Sequence, residues 1–198
     1  MTKAAIWLFA AAVGIAVVVM AAPKRERVGN VYDKPIYRDE LGADEHGLPG
    51  EDLRRLILPP LIKKIREKHR KEIKPTREEL AVAQKYFSKE LPGLADDFSD
   101  WFIENWKTER YLYLNYGGGR LLWQQTGLEA FDATYRWLQE EERSGHFVIS
   151  DKQLRTDFYH YWTDMKHGAF LTDDKSRIED EFLFPEWVRG KNHVNPEE

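Results

Sequence analysis

ADDFSDWFIENWKTERYLYLNYGGG, residues 95–119, is the passage on which the fold reading turns. Phe98, Trp101, Phe102, Asn105, Leu112 and Tyr116 recur at the spacing of one helical face, and three consecutive glycines stop the run. The passage predicts a helix from about Ala95 to Tyr116.

Outward from it the same pattern repeats. Upstream, Thr76 followed by Glu79 forms a capping box ahead of Leu80, Ala83 and Phe87, and Leu91-Pro92-Gly93 ends that helix. Before it, Glu51 and Asp52 open a stripe of Leu53, Leu56, Ile57, Leu58, Leu61, Ile62 and Ile65. Pro59 and Pro60 interrupt this stripe and predict a kink or a new helix starting at Pro60. Downstream, a fourth helix is predicted over about Leu121 to Arg143, with a break open at Gly127. Ser150 with Gln153 repeats the capping pattern, with Ser150 as the expected cap, before a fifth helix that carries Leu154, Phe158, Tyr161, Trp162 and Met165 and is closed by Gly168. A short sixth runs from about Asp173 to Phe182. Only His146 to Ile149 has strand character, and no partner strand is legible. The predicted fold is mainly α: a single helical-bundle-like domain of five to six helices over residues 51–190, followed by a polar tail, 191–198. Six of the seven tryptophans fall between Trp101 and Trp187, so large rings are expected to hold this core.

Ahead of the domain stand two other kinds of text. Residues 23–50 scatter Val28, Val31, Tyr32, Ile36 and Tyr37 among prolines, glycines and charges, which predicts an extended arm or linker with no regular element. Ala4 to Ala22 carries no charge. As a helix at about 1.5 Å per residue it would measure about 28 Å, near the roughly 30 Å of a bilayer's hydrocarbon core. Residues 1–22 are therefore expected to form a transmembrane anchor, with a cleaved signal peptide as the alternative. Lys24, Arg25 and Arg27 follow at once, which predicts the C-terminal domain on the cytoplasmic side or its organellar equivalent. Cleavage would instead give an exported or periplasmic protein. The chain has no cysteine, which excludes a thiolate metal site and a cysteine nucleophile.

Charge is divided along the chain. Residues 51–90 hold 12 Lys and Arg against 7 Asp and Glu, whereas residues 91–198 hold 12 against 21. Lys63, Lys64, Arg66, Lys68, Arg70 and Lys71 form the densest basic run, read as a solvated face or as a membrane-surface patch for anionic headgroups. The net charge of −4 and the lack of a recognised motif argue against nucleic acid.

Asp157, His160, Asp164 and His167 share one helical stripe, a spacing found in helical metal sites. Phe158, Tyr161, Trp162 and Met165 on the other side are better suited to the core, so the stripe reads first as a solvated or partner-facing surface and second as a metal site. Asp97, Asp100 and Glu104 share another face, as do Glu129 and Asp132, without singling out a catalytic pair. Tyr116 to Arg120 reads as a turn between helices in preference to an anion cradle. No catalytic residue and no cofactor is assigned. The expected function is that of a single-pass membrane-anchored accessory, assembly or scaffold subunit acting by protein–protein interaction, with other subunits of a membrane complex as partners. Tyr32, Ile36 and Tyr37 are the expected partner-binding residues, and lipid meets residues 4–22. The alternative is an exported, soluble α-helical enzyme or metal-binding protein using the Asp/His stripe.

Overall fold

The structure, a computed structural model, describes residues 25–42, 49–90, 95–124, 127–163, 167, 170–183 and 185–189. Most of these are helical, but two small antiparallel sheets are built into the same body, which corrects the expected helical-bundle-like domain. The first sheet joins β1 (Arg27–Val31), β2 (Lys34–Tyr37) and β5 (Phe147–Ile149) in the order β2-β1-β5. The predicted arm is thus a hairpin, and it supplies the partner that the His146 to Ile149 segment lacked: Gly29 faces Ile149 and Val31 faces Phe147. Val28, Val31 and Ile36 are buried in the main core. The hairpin turns at Tyr32, whose φ of 48° lies in the left-handed region. Its N–H donates to the His146 carbonyl at 2.6 Å and its ring packs 5.5 Å from the His146 ring, so tertiary contacts hold a conformation costing about 1–2 kcal/mol.

α1 (Pro49–Lys68) runs through Pro59 and Pro60 without a new start. Proline inside a helix costs about 3 kcal/mol, but Leu53, Ile57, Leu61 and Ile65, on both sides of the pair, are buried in one core, and that burial offsets the loss. A single turn, α2 (Arg70–Ile73), follows. α3 (Arg77–Glu90) begins at the predicted capping box, with Glu79 N–H donating to Thr76 Oγ1 at 3.1 Å and Thr76 N–H to Glu79 Oε2 at 2.7 Å. α4 (Ala95–Asn115) matches its predicted span.

The predicted fourth helix is replaced in its first part by β3 (Leu121–Gln124) and β4 (Gly127–Glu129), leaving α5 (Phe131–Arg143). Gly127 has a φ of 121°, which an L side chain rarely adopts, so it serves a hairpin and not a helix break. β3 also pairs with β6 (Leu171–Thr172), giving the order β4-β3-β6. α6 (Lys152–Thr163) is capped by Asp151, whose Oδ1 accepts the N–H groups of Gln153 and Leu154, in place of the expected Ser150. α7 (Lys175–Leu183) and α8 (Glu186–Arg189) close the described chain.

One cluster unites the first sheet with α1, α5 and α6 through Leu53, Ile57, Phe131, Trp137, Phe147 and Phe158. A smaller one joins α3, α4 and α8 through Ala83, Phe87, Ile103 and Trp187. Among the described residues no helix is long and apolar enough to cross a membrane; the expected transmembrane anchor, residues 1–22, lies outside the described residues.

α1 and α6 cross at Gly50, where an added Cβ would stand 2.3 Å from the Asp157 carbonyl oxygen. That atom is backbone and cannot swing aside. Gly50→Ala is expected to lower stability by about 1–3 kcal/mol in urea unfolding. An unchanged midpoint would mean that α1 moves off α6 freely.

Candidate functional site

The inner faces of four helices and a hairpin enclose a recess. Its walls come from α1 (Arg54, Leu58, Ile62), α4 (Trp101, Asn105, Glu109, Leu112), β4 (Leu128, Glu129), α5 (Thr134, Trp137) and α6 (Tyr161, Trp162), around a cavity of about 450 Å³. Each helix presents its inner face for the reason that built the core: Leu112, Trp137 and Trp162 belong to the buried stripes of α4, α5 and α6.

Two carboxyl groups stand in this apolar setting. Glu129 is well provided with donors: Trp162 Nε1–H at 2.7 Å to Oε1, Tyr161 O–H at 2.8 Å to Oε2, and the Gln124 amide, also to Oε2. Gln124 donates to the Tyr161 oxygen as well, at 2.7 Å. Burial raises the Glu129 pKa, while the Trp162 and Tyr161 donors and the charges of His167 and Arg54 pull it back. The Tyr161 hydroxyl is raised by its own burial and by the Glu129 charge. Arg54 lies over the Tyr161 ring at 4.4 Å and the Trp162 ring at 6.0 Å, and burial lowers its pKa.

Glu109 is different. It accepts the Ala130 N–H at 2.8 Å on Oε2. Enclosure by protein, and then the nearby Glu129 charge, push its pKa up to about 8, against small opposing effects of the Ala130 N–H and Arg66. It keeps some accessible surface because it faces the cavity. A neutral carboxyl is a donor as well as an acceptor, and a group poised near neutral pH is a mark of binding and catalytic sites.

The cavity opens along Pro59, Ile62, Trp101 and Asn105 into a surface groove of about 750 Å³ between α1–α2 and α4. Pro59, Ile62, Ile73 and Trp101 line this groove with Lys63, Arg66, Arg70 and Lys74. Trp101 is 43% exposed. Behind the hairpin, a second hollow of about 200 Å³ is lined by Phe87, Phe102, Trp106, Trp123 and Trp187.

The residues singled out from sequence are dispersed. Ile36 is 2% exposed and is consumed by the chain's own core, because the expected arm is a sheet strand; it cannot serve as a partner contact in this fold. Tyr32 packs on the core, and Tyr37 lies under the Arg25 guanidinium at 4.1 Å. In the basic run, Lys63, Lys64, Lys68, Arg70 and Lys71 are exposed. Arg66 turns inward, donating to Asn105 Oδ1 at 2.6 Å, Thr108 Oγ1 at 2.9 Å and Glu104 Oε2 at 3.1 Å. Asp157, His160 and His167 reach one shallow recess beside Arg54, with Asp164 outside the described residues. Asp157 accepts from Gln153 at 2.8 Å, and His167 Nε2 donates to the Tyr161 carbonyl at 2.8 Å. Among the described residues no three His, Asp or Glu approach closely enough to hold a metal ion. The Tyr116 to Arg120 turn is internally bonded: Arg136 donates to the carbonyls of Tyr116 and Gly118, and Arg120 pairs with Asp132 at 2.7 Å.

Sequence reading passed over Glu109, although the signal was there. Asn105, Leu112 and Tyr116 fall on one face, and position 109 completes it. A charge on an apolar stripe is the pattern that marks such a group. In the sequence Glu129 stands out only beside Asp132 on one expected helix, whereas in the fold Glu129 lies on β4 and Asp132 on α5. No protein-family model matches the chain, and no curated protein or solved structure gives a significant match.

Because Glu109 binds a proton in the folded state that the unfolded chain has already released above about pH 4.5, stability falls as pH rises from about 4.5 to about 8. The limiting slope is about 1.4 kcal/mol per pH unit from this group. Glu109→Gln is expected to flatten that decline in urea unfolding measured from pH 5 to 8. Parallel curves for the two proteins would show that Glu109 is ionised at its ordinary pKa.

Proposed function

We propose that this domain acts by binding, as an accessory, assembly or scaffold subunit of a membrane-associated complex, and that the groove between α1–α2 and α4 receives a segment of a partner protein. The observation that carries this reading is the groove's composition. Pro59, Ile62 and Trp101 offer an apolar floor, and Lys63, Arg70 and Lys74 give it a cationic rim on which none of the three has a salt bridge among the described residues. Arg66, fixed by three side chains of α4, keeps the two walls at a set distance. A solvent-exposed tryptophan beside basic side chains is the composition of a protein-binding hot spot, and the charge selects an acidic segment with an apolar anchor.

Association with a membrane is supported by the uncharged run from Ala4 to Ala22 and its basic flank, and the positive-inside tendency favours the cytoplasmic or equivalent face. Anionic headgroups would compete for the exposed lysines, but they have no use for the tryptophan-floored groove between two helices. The partner is therefore assigned to protein in preference to lipid.

Full-length protein solubilised in mild detergent is expected to migrate with its partner subunit. Reversing charge in the groove with Lys63→Glu and Lys74→Glu should release it, while Lys64→Glu and Lys71→Glu, outside the groove, should leave the assembly intact. A wild-type chain that migrates alone, or equal effects of the two pairs, would refute the groove as the docking site.

A further inference from the structure

We propose that the aromatic hollow behind the β3–β4 hairpin binds a quaternary ammonium group, the trimethylammonium end of a choline-like molecule, with Tyr86, Phe102, Trp106 and Trp123 as walls and Glu181 as counter-charge. All five residues line the hollow, and all five keep accessible surface. Its volume of about 200 Å³ lies below the roughly 300–1,000 Å³ of sites for drug-sized molecules and suits one compact ion. The inference does not rest on partner docking in the outer groove.

The rings are set at angles that build a box. Phe102 meets Phe87 at 4.9 Å and 70°, Tyr86 meets Phe87 at 5.2 Å and 81°, and Trp106 meets Trp187 at 5.4 Å and 89°. Each edge-to-face pair turns the wall through a corner, so rings from α3, α4 and α8 close the chamber on several sides and Trp123 of β3 closes it on another. An aromatic face carries the negative part of its quadrupole, which attracts a cation within about 6 Å of the centroid. Two of these rings already hold one: Arg177 lies 4.8 Å from the Trp123 centroid and Arg110 lies 5.8 Å from that of Trp106. Neither arginine lines the hollow, so each covers its ring from outside.

Charge and hydrogen bonding select the ion. Among the described residues Glu181 is the single acidic residue of the lining, and no Lys, Arg or His shares it. The two outer guanidinium groups disfavour a further cation, which makes Glu181 the decisive counter-charge. An anion would meet that acid and no opposite charge. The amide and indole groups around the chamber are largely committed. Asn105 Oδ1 accepts from Arg66, the Gln124 amide donates to Glu129 and Tyr161, and the Trp106 indole donates to the Glu181 carbonyl at 2.9 Å. Nε1 of Trp123 and of Trp187 is buried out of reach. A primary ammonium brings three N–H donors that need acceptors, whereas a quaternary one brings none and asks only for ring faces and a negative charge.

Titration calorimetry on the full-length protein in a maltoside detergent tests the proposal, with choline as probe and its neutral isostere 3,3-dimethylbutan-1-ol beside it. Choline is expected to bind about tenfold or more tighter than the alcohol, and tighter than ethanolamine, which replaces the trimethylammonium by a primary ammonium. Glu181→Gln, with an intact thermal transition, should weaken choline roughly three- to tenfold and leave the alcohol unchanged. Trp123→Leu, which keeps an apolar wall but removes the ring, should weaken choline about tenfold. Glycerophosphocholine separates the sources of the group: tighter binding than choline assigns the site to a lipid headgroup, and weaker binding assigns it to a free solute. Lys63→Glu with Lys74→Glu should leave choline binding in place, so failure of the docking groove and failure of this site are distinguishable. Equal binding of choline and the alcohol, indifference of choline to Glu181→Gln, or the absence of choline binding would overturn the assignment.

Discussion

A carboxylate taken out of water must be given donors, and Glu129 receives them from two different elements. Trp162 and Tyr161 donate from α6, and Gln124 donates from the neighbouring strand. These bonds do more than satisfy a buried charge. They attach the β3–β4 hairpin to α6, and the hairpin is the wall that separates the inner cavity from the aromatic hollow behind it, since Gln124, Gly127 and Leu128 line both. Removing one partner of a buried charged network leaves the rest uncompensated, which costs far more than the pair contributes when complete. The shape of the recess therefore hangs on the completeness of this small network.

α1 is the second wall, and it serves three purposes along its length. Gly50 lets its first turn touch the α6 backbone, Arg54 covers the Tyr161 ring, and Arg66 ties its last turn to α4. Its buried face, Leu53, Ile57, Leu61 and Ile65, is a regular stripe at four-residue spacing. The opposite side carries the exposed lysines. One helix thus holds the core, borders the cavity and presents the basic rim of the groove, and the electrostatic division between residues 51–90 and the acidic remainder is the surface expression of that arrangement.

Helices with local signals were legible from sequence. Thr76 with Glu79 marked the start of α3, and the aromatic stripe marked α4. The strands were not, because the residues that break a helical period are the ones this sheet's geometry needs. Pro35 lies on β2, an edge strand, where a missing N–H is tolerated. Gly29 lies where a Cβ would meet the Val148 carbonyl oxygen at 2.3 Å. In the sequence alone both residues are signs of an irregular arm. The pairing of β1 with β5 joins residues far apart in the chain, and no local pattern encodes such a contact. Within the recess, a helical period already implies that Glu109 faces inward, but its consequence depends on Glu129 and Ala130, which reach it only through the β4–α5 corner.

Native-state hydrogen exchange in wild type and Glu129→Ala bears most directly on the claim that the Glu129 network shapes the recess. If it does, amides of Leu121–Gln124 and Gly127–Glu129 lose protection together with the last turn of α6, while the sheet of β1, β2 and β5 keeps its own. Unchanged protection in the hairpin, or an equal loss across both sheets, would contradict it.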